Sequence, residues 1–305
     1  MRVLIVCSGN KGKINPFITE QVNALTKKGI AFDYFLIKGH GFSGYLSKLR
    51  ALRKKITENS YDLIHAHYGL SGLLAILQKK LPVVITFHGS DVMKGKVLFL
   101  SRLAAHRAAH NIVVEGSFGQ RLRTQNFSTI PCGIDLTTFY EVNPIRARQL
   151  LGLLPDQPLV LFTSAFDNPV KNYPLAKEAI QCTTQQPNLV ELKNYTRQEV
   201  NLLMNACNLL LMTSFSEGSP QVVKEAVACR LPVVSTPVGD VAKLAERIKG
   251  IHIVPYDAKK IALAIDHILE QGVRLKENEV IQEYDNEKVA DRIKTVYLSI
   301  IKNAS

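Results

Sequence analysis

Residues 217–225 read Glu217-Gly218-Ser219-Pro220-Gln221-Val222-Val223-Lys224-Glu225, and the organisation of the chain can be worked outward from them. Ser219 suits a helix N-cap and Pro220 a first helical position. The pairing predicts a helix opening here, with Glu217 on the loop before it and Glu225 about two turns in. A helix start presents unsatisfied backbone N–H groups and a positive dipole end to an anionic or hydroxyl-rich ligand. Two carboxylates flanking such a cluster suit a sugar nucleotide, although a capped helix with two solvated glutamates is the commoner use of an isolated Glu pair. Immediately beyond, Leu231-Pro232-Val233-Val234-Ser235 is an apolar run fit for a buried parallel strand. Thr236-Pro237-Val238-Gly239-Asp240 then turns toward another helix.

The same alternation of apolar runs and amphipathic stretches fills the chain, which argues for parallel sheets covered by helices on both faces. Strands are predicted near 2–7, 31–37, 62–65, 82–87, 111–114 and 127–130, then near 158–164, 188–192, 208–213, 232–235 and 251–254. A chain of 305 residues is long for one core and comfortable for two. No apolar run reaches the ~18 residues of a membrane span. The start, Met1-Arg2-Val3-Leu4-Ile5-Val6-Cys7, is too short for a signal peptide and reads as a first strand. Cysteines 7, 132, 182, 207 and 229 show no paired spacing, and point to buried thiols in a reducing cytosol, not to disulfides or a zinc site.

Charge is unevenly placed. Up to Asp135 there are 19 Lys and Arg against 7 Asp and Glu, and from Leu136 onward 19 against 19, so the whole net charge of +12 falls in the first part. A basic surface of this kind serves nucleic acid, an anionic membrane or an acidic ligand. The absence of aromatic-basic interleaving argues against nucleic acid.

The 217–240 stretch resembles the donor-binding helix of the retaining family-4 glycosyltransferases. The resemblance implies an α/β, GT-B architecture: two Rossmann-like parallel-sheet domains facing across a cleft. The acceptor-side domain would cover 1–136 plus a returning C-terminal helix at about 285–305. The donor-binding domain would cover 137–284. Pro131-Cys132-Gly133-Ile134-Asp135 and Phe139 resemble the family's interdomain segment. By the same resemblance Glu217 meets the transferred sugar, the amides of Gly218 and Ser219 meet its hydroxyls and the diphosphate, Pro220 belongs to the same donor-binding turn, and Glu225 binds the ribose of the nucleotide.

Five further stretches bear on chemistry. After the first strand, Ser8-Gly9-Asn10-Lys11-Gly12-Lys13 allows close backbone approach to a phosphate or sugar through Gly9 and Gly12, with Lys11 and Lys13 as added cations. It lacks the spacing of a dinucleotide fingerprint or a P-loop, and an ordinary loop explains it equally. Thr86-Phe87-His88-Gly89-Ser90-Asp91 places His88 at a strand's carboxyl end, where imidazole can bond a sugar hydroxyl or its own Asp91. The resemblance assigns His88 to the catalytic cleft. Asp62-Leu63-Ile64-His65-Ala66-His67 matches a family pattern ahead of a helix near Tyr68. Its histidines lack the partners of a metal site, which favours a structural role.

Lys171, after the first strand of the second domain, suits neutralisation of a departing diphosphate. The family usually places an Arg five residues earlier, where this chain has Phe166. Tyr195 precedes a capping box formed by Thr196 and Glu199, on a loop that in this fold lies near the nucleotide base. No Asp-x-Asp occurs, so no metal is expected to bridge the diphosphate.

Two basic, apolar stretches remain. Leu46, Leu49, Leu52 and Ile56 recur at near-helical spacing between Tyr45 and Ile56, among Lys48, Arg50, Arg53, Lys54 and Lys55. Lys94-Gly95-Lys96 leads into Val97-Leu98-Phe99-Leu100. Such patterns lie on anionic bilayers or, more commonly, face a core.

The expectation is a metal-independent retaining transferase without a cofactor. It would move a sugar from a UDP- or GDP-linked donor to a hydroxyl acceptor in cell-surface polysaccharide, lipopolysaccharide or glycolipid synthesis. It would be cytoplasmic, with peripheral membrane contact through the basic first domain. A non-catalytic sugar-nucleotide binder, motivated by Phe166, and another GT-B chemistry such as an epimerase stay open.

Overall fold

Burial on both faces explains why inner strands such as Val83–Phe87 and Leu209–Met212 read as largely apolar runs. The computed structural model describes residues 1–304 except 11, 13 and 94, with the backbone alone at 303 and 304. Its chain gathers into two units, Met1–Gly133 with the residues from Asn286 onward, and Ile134–Asp285.

The first unit has six parallel strands, β1 (Arg2–Ser8), β2 (Ala31–Ile37), β3 (Leu63–His67), β4 (Val83–Phe87), β5 (His110–Val113) and β6 (Phe127–Thr129), in the order β2-β1-β3-β4-β5-β6. Successive β1 residues serve opposite cores. Val3, Ile5 and Cys7 join Leu63, Val84 and Ile112, whereas Leu4 and Val6 join Ile64, Ala66 and Ile85. The connecting helices are α1 (Pro16–Lys27), α2 (Gly41–Leu46), α3 (Leu49–Glu58), α4 (Gly69–Ile76), α5 (Gly95–Arg107) and α6 (Ser117–Leu122).

The second unit opens with α7 (Pro144–Leu151), started by the Asn143 side chain accepting from the Ile145 and Arg146 amides and ended by Gly152. Its strands are β7 (Leu159–Phe162), β8 (Asn188–Glu191), β9 (Leu209–Met212), β10 (Val233–Ser235) and β11 (Ile251–Ile253), all parallel, in the order β11-β10-β9-β7-β8. Helices α8 (Tyr173–Cys182), α9 (Arg197–Ala206), α10 (Gln221–Ala228), α11 (Val241–Arg247) and α12 (Ala258–Gln271) cover it. Finally α13 (Asn286–Ala304) joins the first unit. There Val289, Ile293 and Tyr297 enter the core beneath α1, and Lys28 pairs with Asp291 at 3.0 Å.

Both sheets reverse direction of growth next to their first strand, between β1 and β3 and between β7 and β9. The carboxyl edge at such a reversal is where doubly wound sheets bind ligands, because the loops on either side diverge and leave a crevice.

All eleven strands read from the sequence are present, with ends displaced by no more than two residues. The single helix expected over Tyr45–Ile56 is instead two, α2 and α3, separated at Ser47 and Lys48. Leu52 and Ile56 are buried and Leu49 packs against the same core, so α3 spends its apolar stripe on packing, while Leu46 on α2 remains 39% exposed. No helix among the described residues is long and apolar enough to cross a membrane.

Candidate functional site

The β7/β9 crevice assembles the principal candidates of the second unit. After β7 the chain runs through Phe166 into a short turn, Pro169–Lys171, opened by the Asn168 side chain accepting from the Val170 amide. Two groups following β9 hold that turn. The Thr213 hydroxyl donates to the Lys171 and Asn172 carbonyls, and the Phe215 amide donates to the Val170 carbonyl. Thus fixed, Lys171 Nζ donates to Glu217 Oε1 at 2.7 Å, both side chains being about one-sixth exposed (17% and 16%). Lys171 and Glu217, 46 positions apart, are brought together by the strand order.

Glu217 leads into α10, where the structure corrects the expected helix start. The first helical residue is Gln221, the N-cap position is Pro220, and no side chain caps the helix. Ser219 instead donates its hydroxyl to Asp240 Oδ2 at 2.5 Å and accepts from the ammonium of Lys224, which is fully buried and lies over the Tyr284 ring. A buried ammonium left without acceptors is far more unfavourable than an uncapped helix start, so Ser219 serves Lys224. Gly218 is clamped as well. Its carbonyl accepts from the Asp240 amide, and a Cβ on Gly239 (φ +57°) would stand 2.3 Å from that oxygen. Gly239 therefore permits the turn both by its left-handed backbone and by its lack of a side chain.

Glu225 is the fifth residue of α10, nearer one turn than two into the helix. It is almost wholly buried, and Arg197 Nη2 donates to its Oε1 at 2.5 Å. Arg197 opens α9 behind the Thr196–Glu199 capping box, which is present as expected, and its guanidinium lies over the Phe139 ring. Tyr195, 42% exposed, sits on the loop just before that box. Neither Arg197 nor Lys224 was singled out from the sequence; each takes its place through partners distant along the chain. Phe166 stacks on Tyr173 with ring centroids 4.1 Å apart, so an aromatic pair fills the position where a second cation was looked for.

In the first unit, the loop after β1 is tied to the end of β2. Asn10 exchanges hydrogen bonds with both the amide and the carbonyl of Gly39, and the Gly9 amide donates to the Ile37 carbonyl. Gly12 adopts φ +73°. Lys11 and Lys13 lie outside the described residues.

His88 follows β4. Its backbone amide, with those of Gly89 and Gly69, donates to the buried Asp91 carboxylate, whose pKa burial pushes up to about 6. The imidazole does not bond Asp91. Nε2 faces His67 Nδ1 at 3.0 Å, and Nδ1 faces the Cys132 sulfur at 3.7 Å. His67 stacks on His65, which is held between the Tyr297 hydroxyl at 2.5 Å and Thr86 Oγ1 at 2.7 Å. Burial drives the pKa of His67 down to about 3 and those of His65 and His88 well below the usual imidazole value, so the three rings are neutral at pH 7. The described residues contain no cluster of three metal-ligating groups.

Tyr68, between β3 and α4, has φ +72° and ψ +150°, a region essentially reserved for glycine. Holding tyrosine there costs on the order of 1–3 kcal/mol. It is pinned by its amide donating to the Thr86 carbonyl, by its carbonyl accepting from the Gly72 amide, and by its ring against His88.

Two family models match this chain: Glycosyltransferase Family 4 over residues 2–138 and Glycosyl transferases group 1 over residues 176–288. A Bacillus subtilis protein provisionally named a teichuronic acid biosynthesis glycosyltransferase is 29% identical over 67% of this chain and 60% of its own length. A D-inositol 3-phosphate glycosyltransferase of Catenulispora acidiphila is 25% identical over 70% of this chain and 64% of its own. The chain thus spans under two-thirds of the length of these curated relatives. Among solved structures, a sucrose-phosphate synthase from Thermosynechococcus elongatus superposes with a TM-score of 0.84 at 20% identity, covering 100% and 99% of the two chains. Anabaena HepE, solved with UDP and glucose, superposes with 0.79 at 18% identity, covering 98% of this chain and 100% of its own.

Proposed function

Because the chain belongs to the family-4 glycosyltransferases of GT-B fold, we propose that it transfers a sugar from a nucleotide-sugar donor to a hydroxyl acceptor with retained anomeric configuration. The observation that carries this reading is the Lys171–Glu217 pair at the β7/β9 crevice, ahead of the uncapped α10 and of buried Glu225. In it the diphosphate docks at the start of α10, where helix amides and the dipole favour negative charge, and Lys171 neutralises the oxygen on which charge develops as the sugar leaves. This replaces a bridging metal.

Glu217 takes the hydroxyls of the transferred sugar, and Glu225, oriented by Arg197, takes those of the ribose. Tyr195 lies toward the base. HepE, solved with UDP and with UDP-glucose, supports a uridine donor; a guanosine donor is the alternative. In the retaining step, the bond from anomeric carbon to phosphate oxygen breaks as an oxocarbenium-like centre forms. The acceptor oxygen then bonds on the same face, and its proton passes to the departing phosphate. His88 is assigned to the transferred sugar. The first unit takes the acceptor. Phe42, Leu46 and Phe99, all exposed, give its basic surface apolar points for an anionic membrane.

The test incubates the purified chain with labelled UDP- and GDP-sugars, with and without membrane extract, and assigns the anomeric configuration of the product by NMR. A retained glycoside is expected. Binding with neither hydrolysis nor transfer would instead favour a non-catalytic binder, and a donor epimerised without transfer an epimerase.

A further inference from the structure

Lys224 is the fourth residue of α10, and its side chain is fully buried. Long helical side chains point back toward the helix start, and this one carries its ammonium to the loop before α10. There it donates to the Ser219 hydroxyl, lies 3.8 Å from Asp240 Oδ2 and stands 4.7 Å from the centre of the Tyr284 ring. We propose that Lys224 is a positioning residue for the donor: by claiming the Ser219 hydroxyl it withholds the N-cap of α10 and keeps the first amides of that helix available to the diphosphate. The inference rests on the transferase reading and adds to it a residue that sets donor affinity through Ser219.

Packing alone does not call for a charge at this position. Replacing a buried ion pair by apolar side chains of similar volume is often neutral or stabilising, whereas a buried ammonium must be given acceptors. Those acceptors come from two residue types that favour helix caps. Ser219 precedes α10, and Asp240 occupies the N-cap position of α11, yet neither helix has a side-chain cap. Instead Ser219 donates to Asp240 Oδ2 at 2.5 Å and accepts from Lys224, while the Asp240 amide donates to the Gly218 carbonyl. The hydroxyl is thus engaged both as donor and as acceptor, and is held off the helix end.

The consequence reaches the donor because a cap and a diphosphate compete for the same groups. An N-cap oxygen accepts from the second or third helical amide, and these are among the groups that a helix start offers an anion. With Lys224 in place, Pro220 stands at the N-cap position and has no side-chain oxygen to offer. Without it, Ser219 recovers its cap preference and Pro220 becomes the first helical residue. The amides then taken are those of Gln221 and Val222, and the diphosphate must displace the cap.

The experiment is calorimetric titration of the full chain with UDP and GDP, on wild type, Lys224→Met and Lys224→Met/Ser219→Ala, with a thermal melt of each. Methionine keeps an unbranched apolar side chain, and alanine removes the hydroxyl while keeping the backbone amide at 219. The nucleotide that binds wild type is expected to bind Lys224→Met about three- to tenfold more weakly. The double variant is expected to recover most of that loss while melting lower than Lys224→Met, because its helix start has lost the new cap. Tighter binding in a less stable protein is an outcome that a purely structural lysine does not give. The inference is overturned if Lys224→Met binds like wild type, or if adding Ser219→Ala restores none of the loss. If Lys224→Met does not fold, 15N-valine spectra of the wild type carry the test. Saturating nucleotide must then shift the Val222 amide, and an unmoved resonance overturns the inference. Absence of heat from the wild type with either nucleotide sinks the donor reading and this inference with it, whereas binding to the wild type with any of the failures above sinks only this one.

Discussion

Lys171 and Glu217 hold each other at 2.7 Å in a setting only one-sixth exposed, which is a poor place for a single charge. Removing either leaves the other partly desolvated, at about 1–2 kcal/mol of stability, between the exposed and fully buried limits. The functional consequence is predicted to be much larger. Lys171→Ala and Glu217→Ala should each lower turnover by about 10²–10³-fold, the scale of one lost electrostatic contact to a transition state, with only a small shift in melting temperature. Steady-state kinetics beside thermal melts separate the two effects. Loss of activity in step with loss of fold would make the pair structural. Phe166 sharpens the stake in Lys171: it is uncharged and stacks on Tyr173, so in the proposed reading it adds no second cation beside Lys171.

At the scale of elements, the start of α10 is held from behind by the turn after β10. Gly239 stands so close to Gly218 that any side chain displaces the loop before α10. Gly239→Ala is predicted to lower stability by about 2 kcal/mol or more, from left-handed strain plus the clash, and to weaken donor binding. A melt and a donor titration on the same variant check both; unchanged values would mean the loop yields freely.

The strands were legible in the sequence because burial on both faces writes itself as apolar runs such as Leu209–Met212. The capping box of α9 was legible because Thr196 and Glu199 are three positions apart. The start of α10 was misread because a local cap preference at Ser219 lost to the buried Lys224 ammonium, whose partner Asp240 comes sixteen residues further on. Likewise, nothing local announces that Arg197 will meet Glu225, or that Tyr68 will carry a glycine-like backbone.

For the molecule as a whole, the buried imidazoles predict how it responds to acid. His65, His67 and His88 have folded-state pKa values below the ~6.5 of the unfolded chain, so below that pH the unfolded state binds protons that the folded state refuses. Their contribution is whole above about pH 6.5 and is lost as pH falls toward 3. Asp91, raised to about 6, works in the opposite sense between about 6 and 4 and offsets one of the three. Melting temperature should therefore fall between pH 7 and pH 5, and His67→Gln should flatten the slope. A pH-independent melt over that range would contradict the buried neutral trio.

The central claim is that a nucleoside diphosphate docks at the start of α10, gripped by Lys171 at the phosphates and Glu225 at the ribose. Calorimetric titration with UDP and GDP tests it most directly. The account predicts saturable binding of one of them, weakened about tenfold or more in both Lys171→Ala and Glu225→Ala, on the scale of a lost charged hydrogen bond. Absence of heat with either nucleotide, or affinities indifferent to both substitutions, would contradict it.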